Sequence, residues 1–119
     1  VIQDMAALSA ITKKHGILLH IDAAQAVGKI GVDVESLQAD LVSLSAHKAY
    51  GPKGIGALYV RQQPRVRLQP LLHGGGQEDG RSGTLPTALI AGLGEAARIA
   101  RERVEADRDH ALARLLGER

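Results

Sequence analysis

Asp40-Leu41-Val42-Ser43-Leu44-Ser45-Ala46-His47-Lys48-Ala49-Tyr50-Gly51-Pro52-Lys53-Gly54-Ile55-Gly56 opens as a strand and ends as a glycine-rich turn. Asp40 to Ser45 has the short apolar run of a buried strand. Lys48 lies just past its end and has no obvious part in stability. An amine in that position can form a Schiff base with a carbonyl cofactor. A second run upstream, Gly16-Ile17-Leu18-Leu19-His20-Ile21, ends the same way, on Asp22 and then Gln25. In open α/β sheets, sites form outside the carboxyl ends of the strands. Two such strands side by side turn Asp22 and Lys48 toward one crevice.

The pattern on either side fixes the class. Ile2 to His15 is expected to be a helix, with Ile2, Met5, Ala6, Leu8 and Ile11 near a 3.6 period and Gly16 ending it. Ile17 to Ile21 reads as a buried parallel strand. Asp22 to Val34 reads as loop, and Val34 to Ala39 as a helical turn. Gly54 to Arg61 forms a third strand, rich in β-formers. Arg65 to Leu72 reads as extended, with Pro70 marking an edge or bend. His73 to Thr84 is a glycine-rich, mobile loop. From Pro86 a long helix is expected to run to about Leu116, with Leu89, Leu93, Ala97, Ala100 and Val104 on one face. Arg98 with Glu102, and Arg101 with Glu105, decorate the other. The whole is α/β, with a mostly parallel sheet, flanking helices and a long C-terminal helix.

Bulk composition narrows the function classes. The chain has 119 residues, room for one domain, and 45% of them are hydrophobic, as in a globular fold. A net charge of +2 is too mild and too scattered to argue for nucleic acid. No apolar run approaches the roughly 20 residues of a membrane span, and no signal-peptide pattern opens the chain. The expectation is therefore a cytoplasmic protein with no membrane partner. There is no cysteine, hence no disulfide and no thiol nucleophile within these residues. The start at Val1 suggests an internal piece of a longer polypeptide.

A pyridoxal phosphate site needs a lysine for the aldehyde, a carboxylate for the ring nitrogen, a donor for the ring hydroxyl, and polar groups for the phosphate. Lys48, Asp22, Gln25, and Ser45 with His47 are the candidates in that order. Each has a plainer reading. Asp22 suits an Asx turn or a helix N-cap. Ser45 suits a local backbone bond. His47 and Lys48 suit a solvated surface, and Gln25 alone carries almost no signal. Their combination at two strand ends is far more specific than any one of them. The loop His73-Gly74-Gly75-Gly76-Gln77-Glu78-Asp79-Gly80-Arg81-Ser82-Gly83-Thr84 leads to a helix start, where backbone amides can bind an anion. Its plain reading is a flexible connector with Thr84 as N-cap. A metal site from His73 and Glu78 lacks further ligands at suitable spacing.

Three segments, His20 to Lys29, Ser45 to Arg61, and His73 to Pro86, resemble the cysteine desulfurases. These are the class V branch of the fold-type I pyridoxal-phosphate enzymes. The likeness covers essentially the whole chain. The lysine segment, together with Gly74-Gly75-Gly76-Gln77-Glu78 and Arg81-Ser82-Gly83-Thr84, is similar to the iron–sulfur and nitrogen-fixation subgroup. The sister subgroup, which includes selenocysteine lyases, usually lacks that loop.

The resemblance implies the central part of a pyridoxal-phosphate-binding large domain over residues 1–119. It implies Lys48 as the cofactor-bearing catalytic residue and Asp22 at the pyridine nitrogen. It implies Gln25 at the ring hydroxyl, with Ser45 and His47 at the phosphate. Thr84 would reach the phosphate of the partner subunit's cofactor in a homodimer. The implied reaction converts L-cysteine to L-alanine and passes sulfur, as a persulfide, to iron–sulfur assembly partners or to tRNA thiolation. The persulfide cysteine of the family lies beyond residue 119. The loop is also one residue shorter than the family's between Gly80 and Arg81. Two rivals stand beside this reading. One is another class V enzyme, a selenocysteine lyase or aminotransferase. The other is a non-catalytic fragment that offers only a structural or partner-binding surface.

Overall fold

The computed structural model describes residues 2–78 and 80–116, with the side chains at 108 and 110–116 excepted. Asp79 of the glycine-rich loop thus lies outside the described residues. Helix α1 spans Met5–Lys14. It starts three residues later than its apolar period suggests because Asp4 caps it, its Oδ1 accepting from the Ala7 N–H at 3.0 Å. Lys13 and Lys14 fall in the last turn, where cations suit the helix dipole. The end is a Schellman motif: the Gly16 N–H donates to the Lys13 carbonyl and the Ile17 N–H to that of Thr12.

That motif also moves the first strand. Ile17 belongs to the helix end, and both it and Leu18 are exposed. The Leu19 carbonyl accepts from the Asp40 and Leu41 N–H groups, and pairing proper begins one residue on. Strand β1 is therefore His20–Asp22, not Ile17–Ile21, and Asp22 occupies its last rung. Strand β2 is Leu41–Ser45 and β3 is Gly56–Val60.

The order in the sheet is β1-β2-β3. The expected parallel pairing holds for β1 with β2, but β3 runs antiparallel to β2, so the sheet is mixed. The reason is length. Residues 46–55 alone connect β2 to β3, and a parallel return needs a crossover of about a dozen residues or more. Alternation puts Ile21, Val42, Leu44 and Tyr59 on one face, and His20, Asp22, Ser43 and Ser45 on the other. The first face is the core. Val42 is fully buried there with Ala23 and Ala39, and Val27, Val32, Val34 and Leu37 pack around them. Those valines come from the segment between β1 and β2, which crosses this face as a series of turns. One of them, after Asp33, is the helical turn expected near Val34–Ala39.

Helix α2, Thr87–Leu116, lies on this same side, where Ala97, Ala100 and Val104 line a hollow with Val42, Leu44 and Tyr59. Among its described residues the buried one is Ala96, at a position the leucine pattern does not mark. The approach is close because the residues are small. A Cβ on Gly92 would lie 2.9 Å from Pro52 Cγ. On the water side, Arg98 pairs with both Glu95 and Glu102 at 2.7 Å, one bond expected from the sequence and one added. Residues 66–70 carry no regular secondary structure. Val66 anchors them, buried and bonded through its N–H to the Arg61 carbonyl.

Candidate functional site

Parallel pairing of β1 and β2 sends the chain out of both strands at the same end of the sheet. Asp22 pairs with Ser43, so Ser45 lies two rungs further along, and the lysine turn begins there. That turn, Ala46–Lys48, is a single turn of 3-10 helix. Ala46 and Ala49 on either side are buried. They pin the turn by its small residues and leave His47 and Lys48 facing outward. The Ala46 carbonyl accepts from both Ala49 and Gly51. Between them Tyr50 adopts φ +63 and is 95% exposed. A bulky side chain in left-handed backbone is strained, and such strain gathers at functional sites.

Each expected site residue has a definite place. No hydrogen bond or ion pair engages the Lys48 amine among the described residues. Asp22 makes the Asx turn considered above, its Oδ1 accepting from the Ala24 N–H at 3.0 Å. That bond uses one carboxylate oxygen and fixes the group's direction. Ser45 Oγ and His47 Nδ1 are 3.0 Å apart, so the two phosphate candidates bond to each other. Gln25 lies on a turn closed by the Ala26 and Val27 N–H groups on the Ala23 carbonyl.

Asp22 and Gln25 line a common hollow of about 610 Å³ between the start of α1 and the turns after β1. Lys48 is not among its lining residues; it stands at the neighbouring strand's end. The two groups communicate through Gly28. A Cβ there would lie 3.1 Å from the Ala49 Cβ, so the Gln25 turn touches the residue after Lys48. Thr84 lies apart, exposed, between the glycine-rich loop and α2. It does not cap the helix, which begins after Pro86. The loop is also more organised than a flexible connector. Ser82 Oγ accepts from the Gly75 N–H at 2.8 Å, and Gln77 Oε1 accepts from the Gly83 N–H at 3.1 Å.

Beside Asp22 and Gln25, two polar contacts escaped the sequence reading. His20 Nε2 and Ser43 Oγ lie 2.7 Å apart across β1 and β2, on the face that carries Asp22. The Lys29 amine donates to Gln25 Oε1 at 3.1 Å. The four-residue spacing was the available signal for the second, but only once residues 23–30 are known to turn helically. Among the described residues, no three His, Asp or Glu side chains cluster as a metal site. Nor is any helix among them long and apolar enough to cross a membrane.

The family described as Aminotransferase class-V matches residues 1–119. A protein named cysteine desulfurase IscS from Vibrio cholerae is 58% identical over 113 residues, 94% of this chain and 28% of its own length. The protein of that name from Methylococcus capsulatus is 60% identical over 110 residues, 92% of this chain and 27% of its own. Among solved structures, a NifS-like protein from Rickettsia africae superposes with a TM-score of 0.82 at 35% identity, over 87% of this chain and 29% of that one. SspA, solved in complex with cysteine, gives 0.76 at 51% identity, over 82% and 28%. The chain thus spans little more than a quarter of the length of these relatives.

Proposed function

The chain belongs to the aminotransferase class V family, and on that premise we propose that it forms the cofactor cradle of a pyridoxal-phosphate-dependent cysteine desulfurase. Residues 1–119 are, on this reading, the central part of the large domain. The observation that carries the reading is the parallel pairing of β1 with β2, which brings Asp22 and the Lys48 turn to one sheet end. The residues present suit the cofactor. Lys48 offers an unengaged amine for its aldehyde. Asp22 holds one oxygen in an Asx turn and has a second for the ring nitrogen. Ser45 and His47 offer a hydroxyl and an imidazole side by side for the phosphate.

When bound, the cofactor supplies an electron sink for negative charge on the substrate's carbon atoms. Asp22 keeps the ring nitrogen protonated, which maintains that sink. Gln25 bonds the ring hydroxyl, and Ser45 with His47 hold the phosphate. Lys48 moves protons between its Nζ and the substrate carbon. The net reaction takes L-cysteine and an enzyme thiol to L-alanine and an enzyme persulfide. That thiol is not among these residues, which contain no cysteine, so the activity is that of a protein of the relatives' length. Identity of 58–60% to proteins named cysteine desulfurase supports this over the selenocysteine lyase and aminotransferase readings. The proposal extends to a cytoplasmic homodimer in which Thr84 reaches the second copy's phosphate, and to sulfur delivery for iron–sulfur assembly or tRNA thiolation. The exposed position of Thr84, outside the helix it precedes, supports that reach.

The test is site mapping. The chain is incubated with pyridoxal phosphate, reduced with borohydride and digested, and the pyridoxyl group is located by mass spectrometry. Label concentrated on Lys48, lost in Lys48→Ala and weakened in Asp22→Ala, is the expected result. Label spread evenly over Lys13, Lys14, Lys29, Lys48 and Lys53 would overturn the reading. In the protein of full length, Lys48→Ala should reduce alanine formation from L-cysteine to background.

A further inference from the structure

A glutamine amide is ambiguous. Its carbonyl accepts, its NH₂ donates, and a half-turn exchanges them. To hold the oxygen of a ring hydroxyl as that group gives up its proton, Gln25 must present the NH₂ end. Nothing in Gln25 itself selects this orientation. Lys29 does. An ammonium group has donors and no acceptor, so its partner on Gln25 can only be Oε1, and the 3.1 Å contact is to that atom. With Oε1 turned to Lys29, both amide hydrogens point elsewhere.

The backbone fixes this pairing. The Lys29 and Ile30 N–H groups both bond the Ala26 carbonyl, which stacks residue 29 one turn beyond residue 25. Gly28 between them takes φ +75 and lies against Ala49, so the turn's position is set by the residue after Lys48. Lys29 also lines the hollow that Asp22 and Gln25 share. We propose that Lys29 is a positioning residue: it holds the Gln25 amide with its NH₂ toward the cofactor's ring oxygen. This rests on the cofactor reading above, in which Gln25 meets the ring hydroxyl.

The test uses the full chain in five forms: wild type, Lys29→Met, Lys29→Arg, Gln25→Ala, and the double variant Lys29→Met with Gln25→Ala. The first readout is the pyridoxal phosphate concentration that half-saturates borohydride labelling of Lys48. Loss of one oriented hydrogen bond should raise it about fivefold in Lys29→Met, and Lys29→Arg should restore it. In the Gln25→Ala background the Lys29→Met change should have no further effect, because there is no amide left to orient. A full additional fivefold loss there would overturn the proposal and leave Lys29 as a general charge.

The second readout needs no cofactor: the side-chain NH₂ resonances of Gln25 in the nitrogen-15-labelled chain. They should shift and broaden in Lys29→Met and return in Lys29→Arg. Should the wild type label no lysine selectively, the cofactor reading fails. The resonances then decide the Lys29 contact alone, and NH₂ signals unmoved by Lys29→Met overturn it.

Discussion

Asp40 and Lys48 stand at opposite ends of β2, and their surroundings are opposite too. Asp40 is 6% exposed, and every polar atom on it is used. Its Oδ2 accepts from the Leu19 N–H at 2.6 Å, and its Oδ1 meets the Arg61 guanidinium at 2.6 Å. Its backbone N–H and carbonyl bond Leu19 and Arg61 as well. One residue therefore ties the start of β1, β2 and the end of β3 together. At the other end His47 and Lys48 face outward, and the bonds there run between short-range neighbours. The strand carries its cohesion at the amino end and leaves its reactive groups unencumbered at the carboxyl end. An amine already bonded would have to be released before it could react.

The largest expected effect breaks the cohesive end. Asp40→Leu leaves Arg61 without its partner and the Leu19 N–H without its acceptor. Arg61 already has a buried Nε with no partner, so no slack exists there. The cost should be about 3 kcal/mol or more, read as a fall in the denaturant midpoint. A loss under about 1 kcal/mol would mean that the clamp does not organise the sheet.

A middle effect probes how the open end is held without polar bonds. Gly92→Val drives a branched side chain into Pro52, which follows the lysine turn. Overpacking of this kind costs about 1–3 kcal/mol. It should also weaken pyridoxal phosphate labelling of Lys48, although position 92 touches no site residue. Loss of stability with labelling intact would separate α2 from the site.

The smallest effect calibrates the clamp. Arg98 makes ion pairs at 2.7 Å, within 0.1 Å of that of Asp40, but in water. Its hydrogen bond, and then its charge, hold the Glu95 carboxyl below the ordinary glutamate range. A carboxyl whose value is lowered on folding stabilises the fold above its unfolded value, and that contribution is lost as pH falls through the folded one. The difference in thermal midpoint between wild type and Arg98→Ala should be small near neutrality and vanish in acid. A difference as large as that of Asp40→Leu would refute the view that burial separates the two pairs.

What was legible in the sequence follows from which forces leave a periodic mark. The presence of α1 and the extents of β2 and α2 came from spacing, and the placement of Asp22 and Lys48 at strand ends from where apolar runs stop. Ile17 misled because an apolar residue after a helix glycine serves the helix end as readily as a strand. The antiparallel turn of β3 was hidden behind its β-forming composition, although the shortness of residues 46–55 held the answer. The contact face of α2 was legible in part: Leu89, Leu93, Ala100 and Val104 are half-buried as their spacing suggests, whereas Gly92 and Ala96 add nothing to a hydrophobic count. The Gln25 bond to Lys29 lay in a segment read as loop, where four-residue spacings have no meaning until the turn is known. The glycine-rich loop looked mobile because glycine is counted before the side chains of Gln77 and Ser82 are.

The contacts between Gly28 and Ala49, Gly51 and Ala96, and Gly92 and Pro52 carry a consequence for descent. Both sides of the first two are at or near the smallest size a residue can have, and the third sets a glycine against a rigid ring. A substitution at any of the three glycines can only enlarge, and enlargement displaces the segment that carries the amine. A larger residue at one of the glycines calls for a smaller one on the facing element, so these positions are sterically coupled while bearing no reactive group. The geometry of the lysine is thus inherited less through the lysine itself than through the methyl groups its neighbours lack.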